Sequence, residues 1–172
     1  MKILLVFTML MIVSGQYTQA KPIERISYNP EKFLTDEDYR QIDCLSRNLF
    51  FEARNEGEVG MRAVGAVTLN RVGKYGSSIC NVVYRYKQFS WVHLITERKQ
   101  KRIIEIEYSA WGQAIEIAKD LYLNPTSIVG DRMHFLNESL VIEKYGRLPV
   151  WFTAHGKDPI KIGSHTFVNV KA

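Results

Sequence analysis

Four small residues, Gly60, Ala63, Gly65 and Ala66, fall within one helical stretch that runs from Gly57 to about Val72. Glycine in a helix interior costs about 1 kcal/mol relative to alanine. A run of this kind therefore calls for close approach by a neighbouring helix or by a ligand. Met61, Val64, Val67 and Leu69 supply the apolar mass of the stretch. Asn55 and Glu58 have the spacing of a capping box at its start, and Gly73 is the expected stop.

The nearest other helical pattern lies just upstream. Thr35-Asp36-Glu37-Asp38 places a capping hydroxyl and three acidic residues where free N–H groups and the helix dipole favour them. Ile42, Leu45 and Leu49 then recur at helical spacing, and Glu52 continues the same stripe. A carboxylate on a buried helix face is penalised when ionised, so its pKa rises, as a general acid near neutral pH requires. The competing reading is a glutamate at a helix end, exposed or paired with a nearby arginine.

Downstream, Ser77 or Ser78 can cap a short helix from Ile79 to about Tyr86, and Lys87 to Trp91 read as a loop. Arg98-Lys99-Gln100-Lys101-Arg102, the densest basic cluster, reads as a solvated loop. Tyr108 to Leu123 is a substantial helix with Trp111, Ala114, Ile115, Ala118 and Leu121 on one face, ended by Pro125. Beyond it the periodicity fades. Met133 to Leu136 and Trp151 to Thr153 look extended, and Ile162 to Val170 alternates like a terminal strand with Gly163 at its beginning. The fold class is α+β: a mainly helical single domain with a small C-terminal β region.

Residues 1–20 carry one lysine, an apolar run from Ile3 to Val13, and Thr18-Gln19-Ala20 in the manner of a cleavage site. The run is shorter than the ~20 residues that span a bilayer, so it reads as a secretory signal peptide. A retained anchor is the alternative, and no stable membrane span is expected after cleavage. Residues 21–34 form an extended lead-in, and 35–172 form the folded domain. An exported location, periplasmic or in the extracellular wall, follows. In such an oxidising compartment Cys44 and Cys80 are expected to pair, closing a loop worth about 3–4 kcal/mol. Losing Lys2 with the leader lowers the formal charge from +5 to +4. That excess suits an anionic partner, but no dense Lys/Arg stripe marks nucleic-acid binding.

The residues exclude several chemistries. His93, His134, His155 and His165 are dispersed and show no H-E-x-x-H pair, so no metal and no other cofactor is expected. There is no G-x-S-x-G elbow and no glycine-rich phosphate loop. Asn137-Glu138-Ser139 is formally a glycosylation sequon. Glycoside cleavage needs only a placed carboxylic acid, with a second carboxylate or the substrate's own groups completing the reaction. Glu52 is the candidate acid, and Glu56 and Glu58 are near it in sequence.

The runs CLSRNLFFEARNEGEVGMRAVGAVTLNRV, SSICNVVYRYKQFSW and MHF…WF…IGSHTFV resemble the SleB-type cell wall hydrolase family, which includes spore cortex-lytic enzymes. The resemblance covers about residues 40–170. It implies a lysozyme-related helical domain that cleaves peptidoglycan glycan strands as a lytic transglycosylase, with Glu52, the first glutamate of E-A-R-x-E, as the catalytic residue. It further implies that Gln88, Phe89, Ser90 and Trp91 line the groove with aromatic rings against sugar faces. Glu56, His134, Trp151 and His165 are the remaining expected substrate contacts, on a monomer. The chain has His134-Phe135-Leu136 where many relatives have H-Y-H, and Asn55 where glycine is common. Two other readings stay open: a hydrolytic muramidase using Glu52 with Glu56, and a non-catalytic wall-binding domain.

Overall fold

A computed structural model describes residues 33–170. The expected signal peptide and residues 21–32 of the lead-in lie outside the described residues. Those described form eight helices and one three-stranded antiparallel sheet near the C-terminus, the α+β arrangement expected.

The helix α1 (Asp36–Ala53) begins with a reciprocal capping box: Thr35 Oγ1 accepts from the Asp38 N–H at 3.2 Å, and the Asp38 carboxylate accepts from the Thr35 N–H at 2.8 Å. Its apolar stripe buries Leu45, Leu49 and Phe50 completely. The helix α2 (Gly57–Tyr75) lays Met61, Val64 and Val67 against that stripe. After α3 (Ile79–Val83), α4 (Trp91–Leu94) and α5 (Glu97–Ile106) comes α6 (Tyr108–Leu123), which closes the bundle with Ala114, Ile117, Ala118 and Leu121. Gly65 of α2 has its reason here, whereas a Cβ at Gly60 would overlap the Glu56 side chain. A Cβ at Gly65 would overlap Leu121 Cδ1 and reach Leu49 Cδ2 at 3.2 Å, so three helices meet at that glycine.

Several local expectations are corrected. No capping box forms at the start of α2: Asn55 lies in the turn, Glu56 occupies the cap position without a side-chain cap bond, and its carboxylate is committed elsewhere. The helix also runs through Gly73, which stays helical, and stops at Gly76, whose φ of 57° lies in the left-handed region that favours glycine. Ser78 rather than Ser77 caps α3, which ends at Val83 rather than Tyr86. The basic cluster at 98–102 is helical rather than looped, because Gln100 is buried and donates to the Ile95 carbonyl while Ile103 packs on the core. Its cations remain exposed.

The C-terminal region comprises β1 (His134–Asn137), α7 (Glu138–Tyr145), α8 (Val150–Thr153), β2 (Gly156–Ile162) and β3 (His165–Val170). Trp151 to Thr153 are therefore a helical turn rather than a strand, started by Pro149, whose carbonyl accepts from Phe152 and Thr153. Asn137 of the sequon caps α7 and donates to Ser164 Oγ at 2.8 Å. The terminal strand is the second half of a hairpin, and Gly163, with φ 59°, sits in its turn rather than at a strand start. The strand order β1-β3-β2 puts β3 in the centre, with Phe167 buried completely. Cys44 and Cys80 form a disulfide that ties α3 to α1, as expected.

Candidate active site

Glu52 stands in the last turn of α1, half-buried, one helical step beyond the fully buried Leu49. Burial raises its pKa to about 7, and the positive charge of Arg71 pulls in the opposite direction. No hydrogen bond from the described residues reaches its carboxylate. Arg54, the nearest arginine in sequence, is not its partner. That guanidinium pairs with Glu107 at 2.7 Å and lies over the Phe50 ring. Glu52 is thus neither ion-paired nor fully exposed, and half of the acid is protonated near neutral pH.

Arg71 is the residue that sequence reading passed over. Val64, Thr68 and Arg71 follow one another at helical spacing on α2, and all three are buried. The signal was present: a cation on a buried stripe, the mirror of Glu52 on α1. Its Nε donates to the Met133 carbonyl at 2.8 Å and its guanidinium lies 5.0 Å from the Phe89 ring centre. Its Nη1 is buried without a hydrogen-bond partner among the described residues. Burial pushes its pKa down, while Tyr75 and Glu52 hold it up.

A polar network lies under this pair. Asn48, one turn before Glu52, donates to Thr68 Oγ1 at 3.0 Å and accepts from the Trp91 indole N–H at 3.0 Å. The Trp91 ring in turn stacks on Phe51 with centres 4.8 Å apart. Phe89 and Trp91 are each 3% exposed. The expectation that their rings lie against sugars is corrected: they are held inward by Arg71, Phe51 and Asn48. Of that segment, Ser90 is exposed and Gln88 half-buried.

His134 opens β1 directly after Met133, so the Arg71 anchor places it beside the guanidinium. Burial lowers its pKa and the Arg71 charge adds to the effect, leaving a neutral ring. Its ring centre is 5.8 Å from that of Trp151, which is 36% exposed. Glu52, Arg71, His134 and Trp151 therefore form a connected series across α1, α2, β1 and α8.

Glu56 and His165 belong to a second cluster. The Glu56 carboxylate accepts from the Ser164 N–H at 2.8 Å and from the Ser164 hydroxyl. Burial alone would raise its pKa, but these two bonds outweigh it and hold the group below the usual carboxylate range. His165 is 8% exposed, lies edge-on to Phe135, and has its pKa lowered by burial against the pull of Glu56, so it packs inside rather than facing a substrate. A Cβ at Gly163 would overlap Glu56 Oε2, which makes glycine necessary there on steric as well as backbone grounds.

Among the described residues no group of three or more His, Cys, Asp or Glu could hold a metal ion. None of their helices is long and apolar enough to cross a membrane. Comparison with protein-family models matches residues 55–168 to the family described as Cell Wall Hydrolase, starting three residues after Glu52. No match was found among curated proteins or among solved structures.

Proposed function

The chain belongs to the cell wall hydrolase family, and from that premise we propose that it is an exported lytic transglycosylase of the SleB type, with Glu52 as its single catalytic acid and base. Peptidoglycan is the substrate class that the family implies. The observation that carries the mechanism is the state of Glu52: a carboxyl held near pKa 7 by burial, with no hydrogen bond from the described residues to fix it as an anion.

In this reading residues 1–20 are the signal peptide, 35–172 the catalytic domain, and the working form a monomer. Protonated Glu52 donates to the glycosidic oxygen between N-acetylmuramic acid and N-acetylglucosamine. The C1–O bond breaks with its electron pair left on the departing sugar oxygen. The Glu52 carboxylate then takes the proton from the muramic acid 6-hydroxyl as O6 bonds to C1. A 1,6-anhydro end forms, Glu52 is protonated again, and no water is consumed. Arg71 steadies the carboxylate while it is charged, and Gln88 and Ser90 offer polar contacts along the strand.

The muramidase reading needs Glu56 free to activate water. Its carboxylate is instead occupied by both donors of Ser164, which favours the one-carboxylate route. Digestion of purified sacculi, with the products weighed by mass spectrometry, tests the proposal. Anhydro-muropeptides that vanish in Glu52→Gln are expected. Reducing ends would instead indicate hydrolysis, and binding without release would indicate a wall-binding domain.

A further inference from the structure

Between α7 and α8 lies a hollow of about 430 Å³, within the size range of small-ligand sites. Leu136, Val141 and Leu148 give it apolar walls, and Tyr145 and Trp151 give it aromatic ones. Its single charge is Arg147, which is exposed and makes no ion pair or hydrogen bond among the described residues. Arg98 and Arg102 are exposed and unpaired in the same way, but they lie on α5, away from this hollow, so what distinguishes Arg147 is its place in the apolar lining.

The hollow adjoins the candidate site at His134. His134 and Leu136 are two apart on β1, hence on one face of the strand. Leu136 lines the hollow while His134 meets Trp151, a wall of the same hollow, at 5.8 Å.

The lining chemistry limits what can sit there. The hollow is mainly apolar, and its polar side-chain groups are all donors or a cation: the Arg147 guanidinium, the Tyr145 phenol and the Trp151 indole N–H. A short peptide with methyl side chains and a carboxylate matches it: C–H groups against the rings and walls, and the planar guanidinium on the carboxylate. In peptidoglycan such a peptide hangs from the muramic acid, the sugar whose bond is cut.

Resting on the transglycosylase reading for the substrate, we infer that the α7–α8 hollow binds the peptide stem of muramic acid and that Arg147 holds a stem carboxylate. Peptide-bearing strands are then the preferred substrate over bare ones. The inference concerns binding next to the reacting sugar and assigns no step of the chemistry to Arg147.

Two measurements on the mature protein test it. In the first, kcat/KM is compared for intact glycan strands and for strands stripped of their stems. A preference of about tenfold for intact strands, erased in Arg147→Gln, is expected for one charge-assisted contact. In the second, N-acetylmuramyl-tripeptide with free carboxylates is titrated while the Trp151 indole N–H is followed by NMR. A shift that saturates, with affinity about tenfold weaker in Arg147→Gln, is expected. Equal cleavage of both strands, a preference that survives Arg147→Gln, or a Trp151 response to bare disaccharide as strong as to the tripeptide would overturn the inference. If neither strand is cleaved yet the tripeptide binds through Arg147, the peptide subsite stands and the transglycosylase reading falls.

Discussion

The carboxylate of Glu56, at the start of α2, accepts from the backbone N–H of Ser164 at 2.8 Å and also from its hydroxyl, across 108 positions of sequence. One side chain thereby joins the helical bundle to the β2–β3 hairpin. Glu56→Ala should leave a half-buried N–H and hydroxyl without an acceptor and cost about 1–3 kcal/mol, read from chemical denaturation. The folded pKa of Glu56 lies below its ordinary value, so this contribution is present above the usual carboxylate range. It is lost as pH falls through the lower folded value. The difference in stability between wild type and variant should therefore shrink on acidification.

Activity should follow the protonated form of Glu52. With the pKa at about 7, kcat/KM should fall about tenfold per pH unit on the alkaline side. A pH profile on solubilised strands would check this, and a flat profile up to pH 9 would count against Glu52 as the acid.

The same residue should weaken the fold when ionised. Its folded pKa is raised above the unfolded value of 4.5, so its favourable contribution is complete below about 4.5. That contribution is lost as pH rises toward 7 and beyond. Glu52→Gln should consequently be more stable than wild type at pH 8, by about 1–3 kcal/mol, and nearly equal to it at pH 4. Thermal melts at the two pH values give the comparison.

Arg71 should control where the activity profile breaks. Removing its charge in Arg71→Met leaves burial unopposed at Glu52, so the alkaline limb should move to higher pH, while Arg71→Lys should restore most of the original position. A merely structural role would lower the rate without moving the limb.

The disulfide closes a separation of 36 residues between α1 and α3. Chain entropy then makes reduction cost about 3–4 kcal/mol. Cys44→Ser/Cys80→Ser should show that loss in urea denaturation, and wild type in reductant should match it.

How far the sequence reveals this molecule depends on the range of the forces involved. The Thr35 cap, the Leu45–Leu49–Glu52 stripe and the 108–123 helix are written in local spacing, and they stand as expected. The four-residue turns at Trp91 and Val150 are too short to show a period, and α7 is only eight residues long. Phe89 and Trp91 look like groove aromatics until Asn48, Phe51 and Arg71 are brought beside them, which is a tertiary event. Glu56 sits where a second acid would be sought, and only the return of the chain at Ser164 shows its commitment. The anchoring of Arg71 by the Met133 carbonyl is likewise invisible until α2 meets the sheet.

That anchor also sets an order of events. A chain emerging N-terminus first presents the Glu52 helix early, but the carbonyl that seats Arg71 arrives 62 residues after the arginine. The serine that fastens Glu56 comes later still. Until the last strands are in place Arg71 lacks the carbonyl that seats it and Glu56 lacks the donors that hold it. The seating of Arg71 near Glu52 is thus a property of the finished molecule, and a fragment cut short before the sheet would lack it.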